Sequence, residues 1–92
     1  MRDITLDEYL EQQLKSPKFK REWDKLEVHY QITRELIQAR IKGKISQKEL
    51  AKKAKTTQAV ISKIENMNVS PTFGLLQRIA GALDKKLEVK FT

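Results

Sequence analysis

One stretch in the second half of the chain, residues 46–82, constrains the fold more than any other feature of the sequence. Ser46 and Glu49 form a capping box, in which a hydroxyl and a carboxylate three residues apart satisfy free amides at a helix start. The helix that follows is predicted to run to about Ala54. The residues expected to face inward from it are Leu50, Ala51 and Ala54.

A second short helix follows after a two-residue polar turn, Lys55-Thr56, and is predicted from Thr57 to about Asn66. The residues expected to be buried on it are Val60, Ile61 and Ile64. Two short helices joined by a tight turn, with small polar residues opening the second, are typical of a helix that enters the major groove of DNA. Sequence-specific DNA binding is therefore the first functional hypothesis.

The rest of the chain reads as helix until its last residues. Thr5 and Glu8 form another capping box, which predicts a short helix through Leu14. A final helix is predicted after Pro71-Thr72. The residues expected to be buried on that helix are Phe73, Leu76, Ile79, Ala80 and Leu83.

A long helix is predicted between these elements. Ser16-Pro17 is a start signal, with Ser as N-cap and Pro in the first turn. Neither Gly nor Pro interrupts residues 18–42, so one helix could run to Gly43, which is expected at the left-handed position after its end. A break near Val28-His29-Tyr30 is the alternative, because β-branched and aromatic residues are weaker helix formers.

The final residues alternate between apolar and charged side chains from Leu87 to Phe91, which predicts a strand. Nothing else in the sequence indicates a strand, and a lone strand cannot satisfy its own edge. We therefore expect it to pair with a second copy of the chain, a frayed tail being the alternative. The residues expected at this homodimer contact are Leu83, Leu87, Val89 and Phe91.

The charge is divided unevenly along the chain. Residues 1–27 carry six basic and seven acidic side chains, a net charge of −1, whereas residues 28–92 carry thirteen and five, a net charge of +8. A basic segment beside a weakly acidic one suggests a polyanion and a second partner. A lysine face that only aids solubility is the plainer interpretation.

The sequence argues against an enzyme. It has no Cys and one His, His29, and it lacks a Gly-rich phosphate loop. No cofactor and no metal are therefore expected. No apolar run is long enough for a membrane span and no signal peptide is recognisable, so a cytoplasmic protein without a membrane partner is predicted.

Side chains at the starts of the two short helices suit DNA contacts. The Gln47 amide can meet a phosphate oxygen, Gln58 can pair with adenine, and Ala59 leaves room for a thymine methyl group. Ordinary surface polarity is the alternative for each residue taken singly. The full set of predicted DNA-binding residues is Gln47, Lys48, Lys52, Thr56, Thr57, Gln58, Ala59, Ser62, Lys63 and Asn68.

The same segment shares a run of residues with a known family. These residues are Ser46, Gln47, Glu49, Leu50, Ala51, Thr57, Ile61, Ile64, Glu65, Asn66, Pro71, Thr72, Leu76, Ile79, Ala80, Ala82 and Leu83. Over about residues 30–83 they resemble the Cro/C1-type (Xre-family) helix-turn-helix of phage repressors. The resemblance implies an all-α, lambda-repressor-like domain that binds double-stranded operator DNA, with a structural ion pair between Arg40 and Glu65.

One position departs from that family, which often has Gly after the Glu-Asn pair. Here Met67 follows Glu65-Asn66. We expect Asn66 or Asn68 to adopt the left-handed conformation, or the helix to end differently.

The N-terminal arm resembles that of HigA-type antitoxins, through Leu14-Lys15-Ser16-Pro17-Lys18-Phe19 and Trp23. This resemblance implies a homodimer that neutralises a basic RelE/HigB-like mRNA-cleaving toxin in a heterotetramer and represses its own operon. It divides the chain into an arm (1–29), a DNA-binding domain (30–84) and a dimerisation strand (85–92). The predicted toxin-binding residues are Tyr9, Leu10, Leu14, Phe19, Trp23, Leu26 and Tyr30.

The composition of the arm fits such a partner. Residues 1–14 carry a net charge of −3, with apolar and aromatic side chains between the carboxylates, and could meet a basic patch that has an apolar centre. The aromatic residues could instead pack the arm onto its own core. Two other functions stay open: a stand-alone Xre-family transcriptional regulator, and an interaction module whose basic face binds protein or RNA.

Overall fold

Five α-helices make up the regular structure of residues 5–92, which are the residues that the computed structural model describes, apart from the side chain of Lys25. The helices are α1 (Leu6–Gln13), α2 (Pro17–Lys42), α3 (Gln47–Lys53), α4 (Gln58–Glu65) and α5 (Phe73–Ala82). The predicted all-helical class is thus confirmed. None of the helices in this part of the chain is long and apolar enough to cross a membrane.

Each helix begins at a Ser or Thr whose side-chain oxygen accepts a hydrogen bond from the amide three residues on, at 3.0–3.4 Å. This bond satisfies one of the free N–H groups of the first turn, which explains why the sequence located most starts correctly. The five N-cap residues are Thr5, Ser16, Ser46, Thr57 and Thr72. Thr57, predicted as the first helical residue, is therefore the N-cap of α4.

The long helix α2 is continuous over its 26 residues, and it includes Val28, His29 and Tyr30. Of the two alternatives, the continuous helix is the one observed. The arm and the DNA-binding domain therefore share a helix that is about 39 Å long, and no linker separates them at residues 29 and 30.

The ends of α2 to α5 share one geometry, which the sequence did not predict. The residue after each C-cap has a left-handed backbone, with φ of 55–59°, and none of the four is Gly. The amide of the next residue donates to the carbonyl five residues back, as Ile45 does to Arg40 at 3.0 Å. The four left-handed residues are Lys44, Lys55, Met67 and Asp84.

Two predictions about helix ends are therefore wrong. Gly43 is the C-cap of α2 with φ of −80°, and Lys44 takes the left-handed place. At the end of α4 that place belongs to Met67, and not to Asn66 or Asn68. In each case the hydrogen-bond pattern of the helix end decides the position and outweighs a side-chain cost of about 1 kcal/mol.

A small core lies where α3 packs against α4 and α5 and where α4 packs against α2. Its buried apolar residues are Leu36, Leu50, Ala51, Ala54, Ile61, Ile64 and Ile79. The inward faces predicted for α3 and α4 are confirmed, although Val60 is only half-buried against this core. The prediction for Phe73 is wrong, because its side chain is 58% exposed at the first residue of α5.

The predicted C-terminal strand is absent, and residues 85–92 carry no regular secondary structure. A strand needs a partner for its backbone N–H and C=O groups, and no described segment of this single chain supplies one. Leu83 and Leu87 are half-buried, with Leu83 against the core, whereas Val89 and Phe91 are exposed.

Candidate DNA-binding site

A partly buried ion pair fixes the recognition-helix candidate α4 against α2. Arg40 donates from Nε to Glu65 Oε2 at 2.6 Å and from Nη2 to Oε1 at 2.9 Å, while its Nη1 donates to the Ile45 carbonyl at 3.1 Å. The two side chains are only 16% and 7% exposed. The hydrogen bond to Glu65 raises the pKa of the Arg40 guanidinium above its ordinary value, against the opposing effect of burial. The pair carried over from the family resemblance is therefore present.

Gln47 joins the same network. Its Nε2 donates to Glu65 Oε1 at 3.1 Å, which ties the first residue of α3 to the last residue of α4. The predicted phosphate contact of Gln47 stays a prediction, but the side-chain N–H group seen here is already engaged within the protein. Gln47 therefore links the start of α3 to the ion pair between α2 and α4.

Two other side chains hold the short helices in place, and the sequence analysis missed both. Thr33 Oγ1 in α2 donates to the Ile64 carbonyl at 3.3 Å, and Arg78 Nε in α5 donates to the Ala54 carbonyl at 3.0 Å. The Arg78 bond gives a partner to the carbonyl of Ala54, the C-cap of α3. The Thr33 bond is a second one for the Ile64 carbonyl, which also accepts from the Met67 amide at 3.0 Å. The partners lie 31 and 24 residues apart in the chain, so no local sequence pattern predicts these two hydrogen bonds.

The outer side of α4 presents most of the side chains proposed for base contact. Ile61 and Ile64 point into the core, which leaves Gln58, Ala59 and Lys63 exposed. Ser62 is half-buried, and its Oγ accepts from Asn66 Nδ2 at 3.5 Å. Of the other predicted DNA contacts, Lys48, Lys52, Thr57 and Asn68 are exposed, whereas Gln47 and Thr56 are half-buried.

Positive charge is dense over this unit. Residues 42–63 contain seven lysines and a single acidic residue, Glu49, and the lysines are all exposed. The fold therefore exposes a polar face of α4 within a strongly basic segment of the chain. Such a surface attracts a phosphate backbone, and the helix face can then read base edges.

The arm reaches the end of α4, where Leu6 of α1 lines a groove with Glu65, Asn66 and Met67. Helix α1 buries none of its residues, and Tyr9 and Leu26 are exposed. Trp23 and Tyr30 form an edge-to-face pair with ring centroids 5.0 Å apart. The other predicted toxin contacts, Leu10, Leu14 and Phe19, are half-buried. Arg2 and Asp3, which are counted in the predicted net charge of residues 1–14, lie outside the described residues.

Comparison with known proteins assigns the class. A model of the helix-turn-helix family matches residues 36–90, which is more than half of the chain. The chain therefore belongs to the helix-turn-helix family, in its Cro/C1 (Xre) type, and is a DNA-binding regulator by class. Searches of curated proteins and of solved structures found no match to this chain.

Replacing Lys52 with Ala should weaken binding to all DNA sequences alike. An exposed lysine that neutralises one phosphate contributes about 0.9 to the slope of log K against log salt, so the slope should fall by about that amount. Fluorescence anisotropy over a salt series on specific and random duplexes measures it. The matched control is Lys18→Ala, which removes the same charge outside the basic segment. Lys18 lies about 36 Å along α2 from Lys42, where that segment begins, so the slope should be unchanged. A sequence-selective loss in Lys52→Ala would contradict a backbone role.

Proposed function

We propose that this protein is the antitoxin of a toxin–antitoxin pair, which represses its own operon as a homodimer and neutralises a basic RelE/HigB-like mRNA-cleaving toxin. The observation that carries the proposal is the arm, which keeps an apolar and acidic surface exposed beside a domain that already has its own core. A regulator that binds only DNA has no need for such a surface.

The energetic argument starts from α1. This helix buries no residue, so its own packing contributes little stability, and isolated helices of eight residues are marginal in water. A partner that covers Leu6, Tyr9 and Leu26 would remove large apolar side chains from water. The arm is therefore suited to a stable protein contact.

The charge of α1 indicates what kind of partner fits. Asp7, Glu8 and Glu11 give this helix a net charge of −3, opposite in sign to the surface around α3 and α4. An acidic helix disfavours DNA and favours a basic protein. A toxin that binds RNA has such a basic surface, which supports assigning the toxin to the acidic helix α1 and DNA to the basic segment around α3 and α4.

Co-expression with the product of the neighbouring gene tests the toxin partner. A tagged copy should co-purify a small basic protein, and the Tyr9→Ala/Leu26→Ala variant should lose it while melting like the wild type. Val28→Ala is the matched control, because Val28 is an exposed apolar residue of the same helix outside the predicted surface. Co-purification that is equal in all three proteins would contradict an arm interface.

The homodimer is proposed through residues 85–92. Their exposed Val89 and Phe91, and a backbone that has no regular secondary structure, suit an antiparallel strand pair across a two-fold axis. Such a dimer would place two copies of α4 about 34–36 Å apart, or a multiple of that distance, on a palindromic operator. Binding of one toxin to each arm would then give a heterotetramer.

Sedimentation equilibrium tests the dimer. The wild-type mass should be twice the 10.7 kDa of the chain, and Val89→Asp/Phe91→Asp should sediment as a monomer. Ile41→Asp is the control, since it introduces a charge at an exposed apolar residue away from the tail. A wild-type monomer, or a dimer that survives both tail substitutions, would contradict this role.

A stand-alone regulator without a toxin is the second candidate. The contact between Trp23 and Tyr30 favours it, because these two rings already pack against each other within α2. In that case the arm only supports the helix, and the co-expression experiment should yield the homodimer alone, still able to bind its own promoter.

A further inference from the structure

Four helices end at a left-handed residue that is not Gly, and the reason differs among the four. Asp is one of the few side chains that tolerate this conformation, so Asp84 needs no special explanation. Met67 is half-buried and lines an apolar groove of about 320 Å³ with Leu6 and Ile37, so its side chain gains packing. Lys44 and Lys55 have neither explanation.

The hydrogen bonds at the helix ends place these two lysines in the left-handed region, but they do not explain why the residue there is Lys and not Gly. Their φ angles are 56° and 58°, and both side chains are exposed. Within the described residues, no hydrogen bond or ion pair engages either ammonium group. Gly would fit both positions without strain, but it carries no charge.

The location of the two residues suggests what the charge is for. Lys44 lies two residues before Ser46, the N-cap of α3, and Lys55 lies two residues before Thr57, the N-cap of α4. Both therefore belong to the connections that lead into the helix pair, within the segment of seven lysines. Strained backbone persists where the side chain has a function that offsets it.

We propose that Lys44 and Lys55 are phosphate-binding residues, and that their left-handed backbone is retained because DNA binding uses their charge. This inference rests on the proposed DNA-binding function. It predicts that stability and DNA affinity change in opposite directions when Gly replaces either lysine.

The test compares the wild type with Lys44→Gly/Lys55→Gly. The melting temperature should rise by about 4 °C or more, because relief of each strained residue is felt strongly in a domain of this size. The slope of log K against log salt, measured by anisotropy on a duplex from the region upstream of the gene, should fall by about 1.8, which corresponds to two lost phosphate contacts.

Two controls separate charge from strain. Lys44→Arg/Lys55→Arg keeps the charge and the strain, so both readouts should match the wild type. Met67→Gly changes the same kind of helix end without removing a charge, so its salt slope should equal that of the wild type.

A wild-type slope in the double Gly variant would overturn this inference alone. Absence of salt-dependent DNA binding by the wild type would overturn the proposed DNA-binding function together with it.

Discussion

Replacing Glu65 with Gln is expected to lower the free energy of unfolding by about 3 kcal/mol, because it leaves the partly buried Arg40 guanidinium without a counter-charge. Gln has the shape of Glu but cannot accept two charge-assisted hydrogen bonds. Since 1 kcal/mol corresponds to about 4–8 °C in a domain of this size, the melting temperature should fall by at least about 12 °C.

The matched control for this substitution is Glu35→Gln. Glu35 lies on α2 with an exposed side chain, so the variant loses the same negative charge without uncovering a buried partner. Its stability should change by no more than about 0.5 kcal/mol. Thermal unfolding followed by circular dichroism measures both variants, and equal melting temperatures for Glu65→Gln and the wild type would show that the pair is not a structural element.

Replacing Gln58 with Ala is expected to weaken binding to the operator by about 1–3 kcal/mol and to relax the base preference at a single position. Gln58 is the first residue of α4 and is exposed, so its amide is free to form two hydrogen bonds with an adenine edge. Ala is a good helix former and nothing packs over this position, so folding should be unaffected.

Competition binding with a set of duplexes, each changed at one base pair, measures this effect. The wild type should discriminate at a position where Gln58→Ala does not, and both proteins should bind random DNA equally. Asn68→Ala is a useful comparison, because Asn68 is exposed just beyond α4 and should affect backbone contacts without changing base preference. A uniform loss for Gln58→Ala over all duplexes would contradict base readout.

The parts of the fold that the sequence predicted are those with a local cause. Ser and Thr at N-cap positions predict helix starts, and the apolar spacing of Leu50, Ile61 and Ile64 predicts the inward faces. Capping and apolar spacing both depend on residues within one or two turns of the same helix, so they can be recognised without the tertiary structure.

The parts that could not be predicted depend on distant contacts or on a partner. The bonds from Thr33 and Arg78 to helix-end carbonyls join residues far apart in sequence. The bond from Gln47 to Glu65 depends on how α3 and α4 pack, which the sequence alone does not give. The left-handed positions were assigned to Gly and Asn from residue preference, whereas the hydrogen bonding of the helix end selected Lys44 and Met67. Strand pairing at residues 85–92 requires a second chain.

The most direct test of the central claim, that α4 reads DNA sequence, is the affinity of the full chain for the duplex upstream of its gene against a scrambled duplex of the same length and composition. At a fixed salt concentration of about 150 mM, the account predicts binding that is at least about 1,000-fold tighter to the upstream duplex. Equal affinities for the two duplexes would mean that the basic surface only attracts phosphate, and would contradict the account.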